Sequence, residues 1–164
     1  MVIKQNTEMM LFRYNNYKGY SFIKEHLSVY EKHGYVWMLK VGKRSSEEKI
    51  KRVLDDGGWI ILRSPKAEGG KSYIARFTKK MEVTPEGELY PAYYQKVLNA
   101  IENEDTFYFS EPTYQWFRIE FLSKLPEDCA SSLIISNSGK KVDDIISSTR
   151  TAVMFVRNDK QFLL

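Results

Sequence analysis

The chain has 164 residues, 43% hydrophobic and 28% charged, an ordinary globular balance that excludes global disorder and favours one domain. No apolar run approaches the roughly 18 residues of a membrane span, and the first residues lack a secretory-signal pattern. We therefore expect a cytoplasmic protein with no membrane partner. The net charge of +4 is unevenly distributed, since residues 1–80 carry +9 and residues 81–164 carry −5. A basic half favours a polyanionic partner such as nucleic acid.

The first third of the chain predicts a strand, a helix and a second strand. Residues 9–14 form a short apolar run that is typical of a strand. Residues 21–33 place apolar side chains on one helical face, with Ser21 as the predicted N-cap and Gly34 as the stop. Residues 35–41 are rich in β-forming side chains and predict a buried strand.

The middle of the chain predicts a capped helix followed by a hairpin. Ser45 and Glu48 have the spacing of a capping box, and the pair Gly57-Gly58 ends the predicted helix. Residues 59–63 and 72–77 then read as two strands joined by a turn that contains Pro65 and two glycines.

The remaining elements predict a mixed architecture. Residues 82–94 predict a long loop, 92–102 a short helix, 114–122 a strand, 142–146 a helical turn and 152–156 the final strand. Helices do not alternate with strands throughout, so a doubly wound fold is excluded. The expected class is α+β, with a curved mixed β-sheet or partly open barrel of about six strands flanked by two or three helices. Residues 1–164 are expected to form a single domain with its core at about 10–156.

Catalytic and metal chemistry find little support in the sequence. No glycine-rich phosphate loop and no Gly-x-Ser-x-Gly elbow is present. Cys129 follows Glu127 and Asp128, which would raise the pKa of its thiol. His26 and His33 are seven residues apart, a poor spacing for shared metal ligation, and we expect His26 to be packed and His33 exposed. We therefore expect no enzyme activity, no cofactor and no metal.

The aromatic side chains, 14% of the chain, are more informative. Trp37 lies on a predicted strand directly before the basic residues Lys40, Lys43 and Arg44, whereas Trp59 opens an apolar strand and is assigned to the core. Nucleic-acid binding needs stacking surfaces as well as cations, and tyrosines beside loops can supply them. The tyrosines that lie in or beside predicted loops are Tyr90, Tyr93, Tyr94 and Tyr114.

Read in order, several segments resemble the EVE and YTH domains of the PUA-like superfamily. The resemblance begins at Leu11-Phe-Arg-Tyr-Asn-Asn16, continues at His33-Gly-Tyr-Val-Trp37, and includes the paired strands around Trp59-Ile-Ile-Leu-Arg-Ser-Pro65 and Tyr73-Ile-Ala-Arg-Phe77. It ends at Trp116-Phe-Arg-Ile-Glu-Phe followed by Lys124-Leu-Pro126. Arg13 and Tyr14 replace the Lys and Ser of the family.

The resemblance implies a non-enzymatic reader of a modified base, with methylated adenine or cytosine as the expected ligand and DNA favoured over RNA. Such domains turn the base out of the strand into an aromatic cage and serve as recognition domains in modification-dependent restriction systems. The chain is then expected to be an excised recognition domain of a longer protein, with a nuclease or NTPase domain as effector.

The resemblance also assigns roles to residues of this chain. Trp37 would form the first cage wall, with the second wall among Tyr90, Tyr94, Tyr114 and Trp116. Arg13, Asn15 and Ser64 would hydrogen-bond the base. The expected phosphate ligands are Lys40, Lys43, Arg44, Lys66 and Lys71.

Three alternatives stay open at this point. The first is an RNA-binding PUA-like module without specificity for modification, and the second is a small hydrolase of the related ASCH type. The third is a protein-interaction module whose tyrosines form a contact patch.

Overall fold

Local sequence signals determine where the first two helices begin. A computed structural model gives the fold, and the structure describes residues 1–103 and 113–164. Helix α1 (Phe22–His33) begins after Ser21, whose hydroxyl accepts a hydrogen bond from the Lys24 N–H, and ends at Gly34 with φ of 82°. This helix confirms the prediction at both ends.

The second helix, α2 (Glu47–Asp55), is capped one residue later than predicted. The Ser46 hydroxyl accepts from the Lys49 N–H, so the N-cap is Ser46 and not Ser45 of the predicted capping box. With this start, Ile50 and Val53 lie on the buried face of the helix. The register of the apolar face therefore selects between the two adjacent serines.

The remaining helices include one of nine residues and three of three or four residues. A 3-10 helix at Lys66–Glu68 occupies the predicted turn between the hairpin strands. Helix α3 (Tyr94–Glu102) begins two residues after its predicted start, because Pro91 and Ala92 form the preceding turn. The remaining helices are α4 (Glu127–Ala130) and α5 (Val142–Ile145).

Nine strands form two sheets in the described residues. Their bounds are β1 (Val2–Ile3), β2 (Glu8–Arg13), β3 (Val36–Gly42), β4 (Trp59–Arg63), β5 (Ser72–Met81), β6 (Thr113–Lys124), β7 (Leu133–Ile135), β8 (Val153–Asn158) and β9 (Phe162–Leu163). Seven form a mixed, unclosed sheet in the order β3-β6-β5-β4-β2-β8-β7, and β1 pairs with β9. Strand β2 is parallel to β4 and antiparallel to β8.

The α+β class is confirmed, but the main sheet has seven strands instead of about six, and β8 is not the final strand. Strands β1, β7 and β9 have two or three residues each. Segments of this length carry no readable alternation, which explains why the sequence did not predict them.

The chain divides into two compact units, each made of separate segments. Unit 1 comprises Met1–Asn15, Ser45–Arg76 and Leu122–Leu164, and unit 2 comprises Asn16–Arg44 and Phe77–Phe121. Trp59 is buried in unit 1, as predicted. Unit 2 contains the aromatic side chains on which the functional prediction depends. None of the helices in residues 1–103 and 113–164 combines the length and the hydropathy of a transmembrane helix.

Candidate functional site

The five predicted cage aromatics lie together in unit 2. Trp37, Tyr94 and Trp116 are buried members of one hydrophobic cluster, and Tyr90 and Tyr114 are partly buried against it. We call the whole hydrophobic cluster that contains these residues the aromatic cluster. Its further buried members are Leu39, Tyr93, Val97 and Ile101.

Two strands, a helix and a loop bring these rings together. Strands β3 and β6 are antiparallel neighbours, with Leu39 opposite Trp116 and Val41 opposite Tyr114. Helix α3 begins with Tyr94, and Tyr90 lies in the loop before it. The Tyr90 ring centroid lies 5.3 Å from that of Trp116 and 6.1 Å from that of Tyr94, so Tyr90 packs over both.

The cluster is closed in this structure. Trp37 is 1% exposed, Tyr94 4% and Trp116 0%, and the Tyr94 and Trp116 rings meet edge to face at 5.7 Å. Of the five predicted cage residues, Tyr90 and Tyr114 alone keep part of their surface accessible. The rings therefore occupy the space that a bound base would need, and a base could enter only if Tyr90 or Tyr114 moved.

Two indole N–H groups in the cluster are unsatisfied. The Nε1 atoms of Trp37 and Trp116 are buried and have no hydrogen-bond partner among the residues that the structure describes. Buried indole N–H groups usually have a partner, since an unmade hydrogen bond costs about 1–3 kcal/mol. The cluster therefore offers two donors to an acceptor atom placed inside it.

A chain of hydrogen bonds links helix α1, helix α3 and strand β3. The Leu39 N–H donates to the Tyr94 hydroxyl at 3.2 Å, and this hydroxyl lies 2.7 Å from His26 Nε2. His26 Nδ1 lies 2.7 Å from the Phe22 carbonyl oxygen and is the ring donor in this arrangement. Burial lowers the pKa of His26 to about 4 and raises that of Tyr94 well above 10. Both groups are therefore neutral at pH 7.

Three of the five predicted phosphate ligands, Lys40, Lys43 and Arg44, are only partly available to a phosphate. Lys40 is 6% exposed and donates to the Lys43 carbonyl oxygen, and burial lowers the pKa of its ammonium group. Lys43 and Arg44 are exposed, but Arg44 is paired with Glu82. Lys43 is therefore the most accessible of the three predicted phosphate ligands.

The predicted base-binding residues Arg13, Asn15 and Ser64 belong to unit 1. Arg13 is half-buried and its Nη1 donates to the Thr149 carbonyl oxygen at 2.7 Å, whereas Asn15 is exposed. Ser64 is buried, and its hydroxyl opposes the rise that burial causes in the pKa of Tyr14. The Arg13 and Arg63 backbones lie opposite each other in the parallel β2–β4 pair.

Lys66 and Lys71 are also in unit 1, and both are exposed. Lys71 lines a cavity of about 350 Å³ together with Arg63 and Lys124. The same cavity is lined by the carboxylates of Glu127 and Asp143, so its charge is mixed. It is therefore a weaker anion site than a purely basic pocket would be.

Sequence reasoning missed a second group of aromatic and basic residues in unit 2. Tyr17 and Tyr20 are partly buried against the aromatic cluster, and Lys96 Nζ lies 2.8 Å from the Tyr20 hydroxyl. The local signal is the sequence Tyr17-Lys-Gly-Tyr20, in which a glycine between aromatics predicts a turn. No local signal brings Lys96 to it.

Cys129 and the residues that could bind a metal ion are considered by their burial and placement. Cys129 is buried, and burial together with Asp128 raises the pKa of its thiol, as predicted. In the described residues, no three His, Cys, Asp or Glu side chains are placed to hold a metal ion. Comparison of the chain with family models, with curated proteins and with solved structures found no match.

Proposed function

We propose that the chain is a nucleic-acid-binding protein that recognises a modified, methylated base in DNA and holds it in the aromatic cluster. The observation that carries the proposal is the joint presence, in one cluster, of the five aromatic rings and two indole donors that have no partner in residues 1–103 and 113–164. An extruded base has faces that stack on aromatic rings and ring atoms that accept hydrogen bonds. The proposal includes the EVE/YTH-like class of the PUA-like superfamily, which rests on the order of the resembling segments.

Of the two residues whose movement could admit a base, Tyr90 and Tyr114, we assign this role to Tyr90. This residue lies in the loop between β5 and α3, keeps part of its surface exposed, and covers both Trp116 and Tyr94. Its hydroxyl accepts from the Gln95 side chain, which is exposed and costs little to release. With Tyr90 displaced, a base would stack on one of the two indoles and accept a hydrogen bond from the N–H of the other, since an indole N–H lies in the plane of its own ring.

The energies involved favour a reader with modest discrimination. Extrusion of a base costs a few kcal/mol, and stacking returns about 1–3 kcal/mol per base. Burial of one methyl group adds about 0.8 kcal/mol, which corresponds to about a fourfold preference for the methylated base. Exposed Lys43 of the same unit would supply a phosphate contact and make the affinity depend on salt.

The test is a fluorescence anisotropy titration with oligonucleotides that contain N6-methyladenine, 5-methylcytosine or no modification, in single- and double-stranded DNA and in RNA. We expect at least one methylated DNA to bind about fourfold or more tightly than its unmodified counterpart. Trp116→Phe removes one indole donor and should weaken binding of that DNA, whereas the matched control Trp59→Phe, in unit 1 and outside the cluster, should not. Circular dichroism establishes that both variants fold.

Two results would contradict the proposal. One is equal affinity for methylated and unmodified strands of every kind, which favours the general RNA- or DNA-binding alternative. The other is an unchanged affinity and an unchanged preference for methylated DNA in Trp116→Phe, which would show that the aromatic cluster is not the base-binding site.

A further inference from the structure

Unit 2 contains a cavity that lies beside a tight turn. Its volume is about 510 Å³, and its lining includes Tyr17, Lys18, Tyr20, Lys96 and Asn99. The backbone groups of Tyr17 and Tyr20 hydrogen-bond each other at 3.2 Å and 2.8 Å, which closes a two-residue turn at Lys18-Gly19. We call residues 17–20 the tyrosine turn.

The turn holds its two rings in fixed positions. Tyr17 and Tyr20 both stack on Tyr93 of the aromatic cluster, with centroid distances of 6.2 Å and 5.3 Å and interplanar angles of 18° and 13°. Lys18 has φ of 42°, a conformation that side-chain-bearing residues seldom adopt.

The cavity carries positive charge and aromatic surface together. Lys96 Nζ lies 5.1 Å from the centre of the Tyr20 ring, and Lys18 Nζ lies 5.4 Å from that of Tyr17. The lining contains these two ammonium groups and the Asn99 amide, and no carboxylate occurs among its described members. Cations beside stacking rings, with an amide for hydrogen bonds, are the elements of a nucleotide site on a single strand.

We propose that this cavity binds the nucleotide next to the base that is read. The neighbouring base stacks at the tyrosine turn, its phosphate lies on Lys96 and Lys18, and Asn99 hydrogen-bonds the base edge. Tyr93 stacks on both tyrosines of the turn and packs against Tyr94 at 4.8 Å, so the two sites share a wall. The inference rests on the proposed function only in that both nucleotides belong to one strand.

The experiment compares single-stranded probes by anisotropy. One pair is a thymidine trinucleotide whose central base is N6-methyladenine, with the flanking bases present or replaced by abasic sites. A second pair is an oligothymidine, intact or with alternate abasic sites. We expect the flanking bases to tighten binding at least about fivefold in both pairs, as stacking of one base would.

Variants assign this effect to the cavity. Lys96→Ala and Lys18→Gly should each lower the affinity for the intact strands and reduce the slope of log affinity against log salt by about one. Lys18→Gly should fold at least as well as the parent, because glycine accepts the positive φ. The matched control is Lys24→Ala, which removes an exposed lysine of helix α1 in the same unit and should change neither quantity.

The outcomes separate the two proposals. If abasic flanks bind as well as intact ones, or if Lys96→Ala and Lys18→Gly behave like Lys24→Ala, the inference is wrong, whatever the preference for methylation. If the flanking bases and both lysines matter while methylated and unmodified probes bind equally, the cavity is a nucleotide site, and the proposed recognition of a methylated base fails.

Discussion

At the scale of single residues, His26 has the most constrained chemistry in unit 2. Its Nδ1 faces the Phe22 carbonyl and its Nε2 faces the Tyr94 hydroxyl, so both ring nitrogens are used in the neutral form. A second proton on the ring would place a donor against the Tyr94 hydroxyl and a charge inside a buried site. Burial therefore lowers the pKa of His26 to about 4, although the hydrogen bond to the Phe22 carbonyl opposes this shift.

The depressed pKa predicts a loss of stability in acid. In the unfolded chain His26 binds its second proton as the pH falls below about 6.5, whereas in the folded chain it binds that proton only near pH 4. Acid therefore favours unfolding between these two pH values. Between pH 7 and pH 5 the free energy of unfolding should fall by about 2 kcal/mol on account of His26. Urea unfolding followed by circular dichroism at the two pH values measures it.

Two variants isolate the contribution of His26. His26→Leu should be less stable at pH 7, because the Tyr94 hydroxyl loses the acceptor of its proton, but should lose much less stability on acidification. His33→Gln, which replaces the exposed histidine at the end of α1, should keep the full loss. An equal loss in His26→Leu and the parent would show that the pH dependence arises elsewhere.

At the scale of elements, two adjacent serines, Ser45 and Ser46, differ in that only Ser46 is the N-cap of α2. Ser46 accepts the Lys49 N–H and has the extended backbone of an N-cap, so Ser46→Ala should cost about 1 kcal/mol of unfolding free energy. Ser45→Ala is the matched control and should cost clearly less. Equal costs, or a larger cost at Ser45, would place the cap where the sequence pattern first indicates it. Urea midpoints of the two variants decide the question.

Sequence patterns predicted the elements whose signals are local. The capped helix α1 and the apolar strands β2, β3 and β4 were predicted to within a residue or two. The β1–β9 pair was not, because its partners stand at opposite ends of the chain and each strand has two residues. Pairing over such a distance depends on the folded chain, and a short segment carries no trace of it.

The candidate site shows the same division. The family resemblance grouped Trp37 with Tyr90, Tyr94, Tyr114 and Trp116, and the structure places them in one cluster. The burial of Trp37 agrees with the predicted buried strand 35–41, but that of Tyr94 and Trp116 was not predicted, because the sequence does not show how far the helix that carries Tyr94 closes over β3 and β6. The meeting of Tyr20 with Lys96 joins positions 76 residues apart and had no local signal.

At the scale of the whole molecule, the path of the chain limits how the protein can unfold. The backbone passes from one unit to the other four times, and β5 and β6 each contribute residues to both units. A unit that lost its structure would therefore shorten strands on which the other unit depends. We expect one cooperative unfolding transition.

Tryptophan fluorescence tests this expectation. In Trp59→Phe the emission comes only from Trp37 and Trp116 of unit 2, and in the Trp37→Phe/Trp116→Phe double variant it comes only from Trp59 of unit 1. For each variant, the urea midpoint by fluorescence should equal its own midpoint by circular dichroism. Two separated midpoints in either variant would show that the units unfold independently.

Strand β3 stands at one end of the strand order of the sheet, where a free edge would invite pairing with a second molecule. Two of its N–H groups that do not face β6 are already taken. The Trp37 N–H donates to the Leu89 carbonyl oxygen at 2.9 Å, and the Leu39 N–H donates to the Tyr94 hydroxyl. The residues that would contact a base, and the loop that would move to admit it, thus also protect the protein against edge-to-edge self-association. When the aromatic cluster opens, β3 would avoid pairing with a second molecule only if a bound ligand covers its edge or the loop closes again quickly.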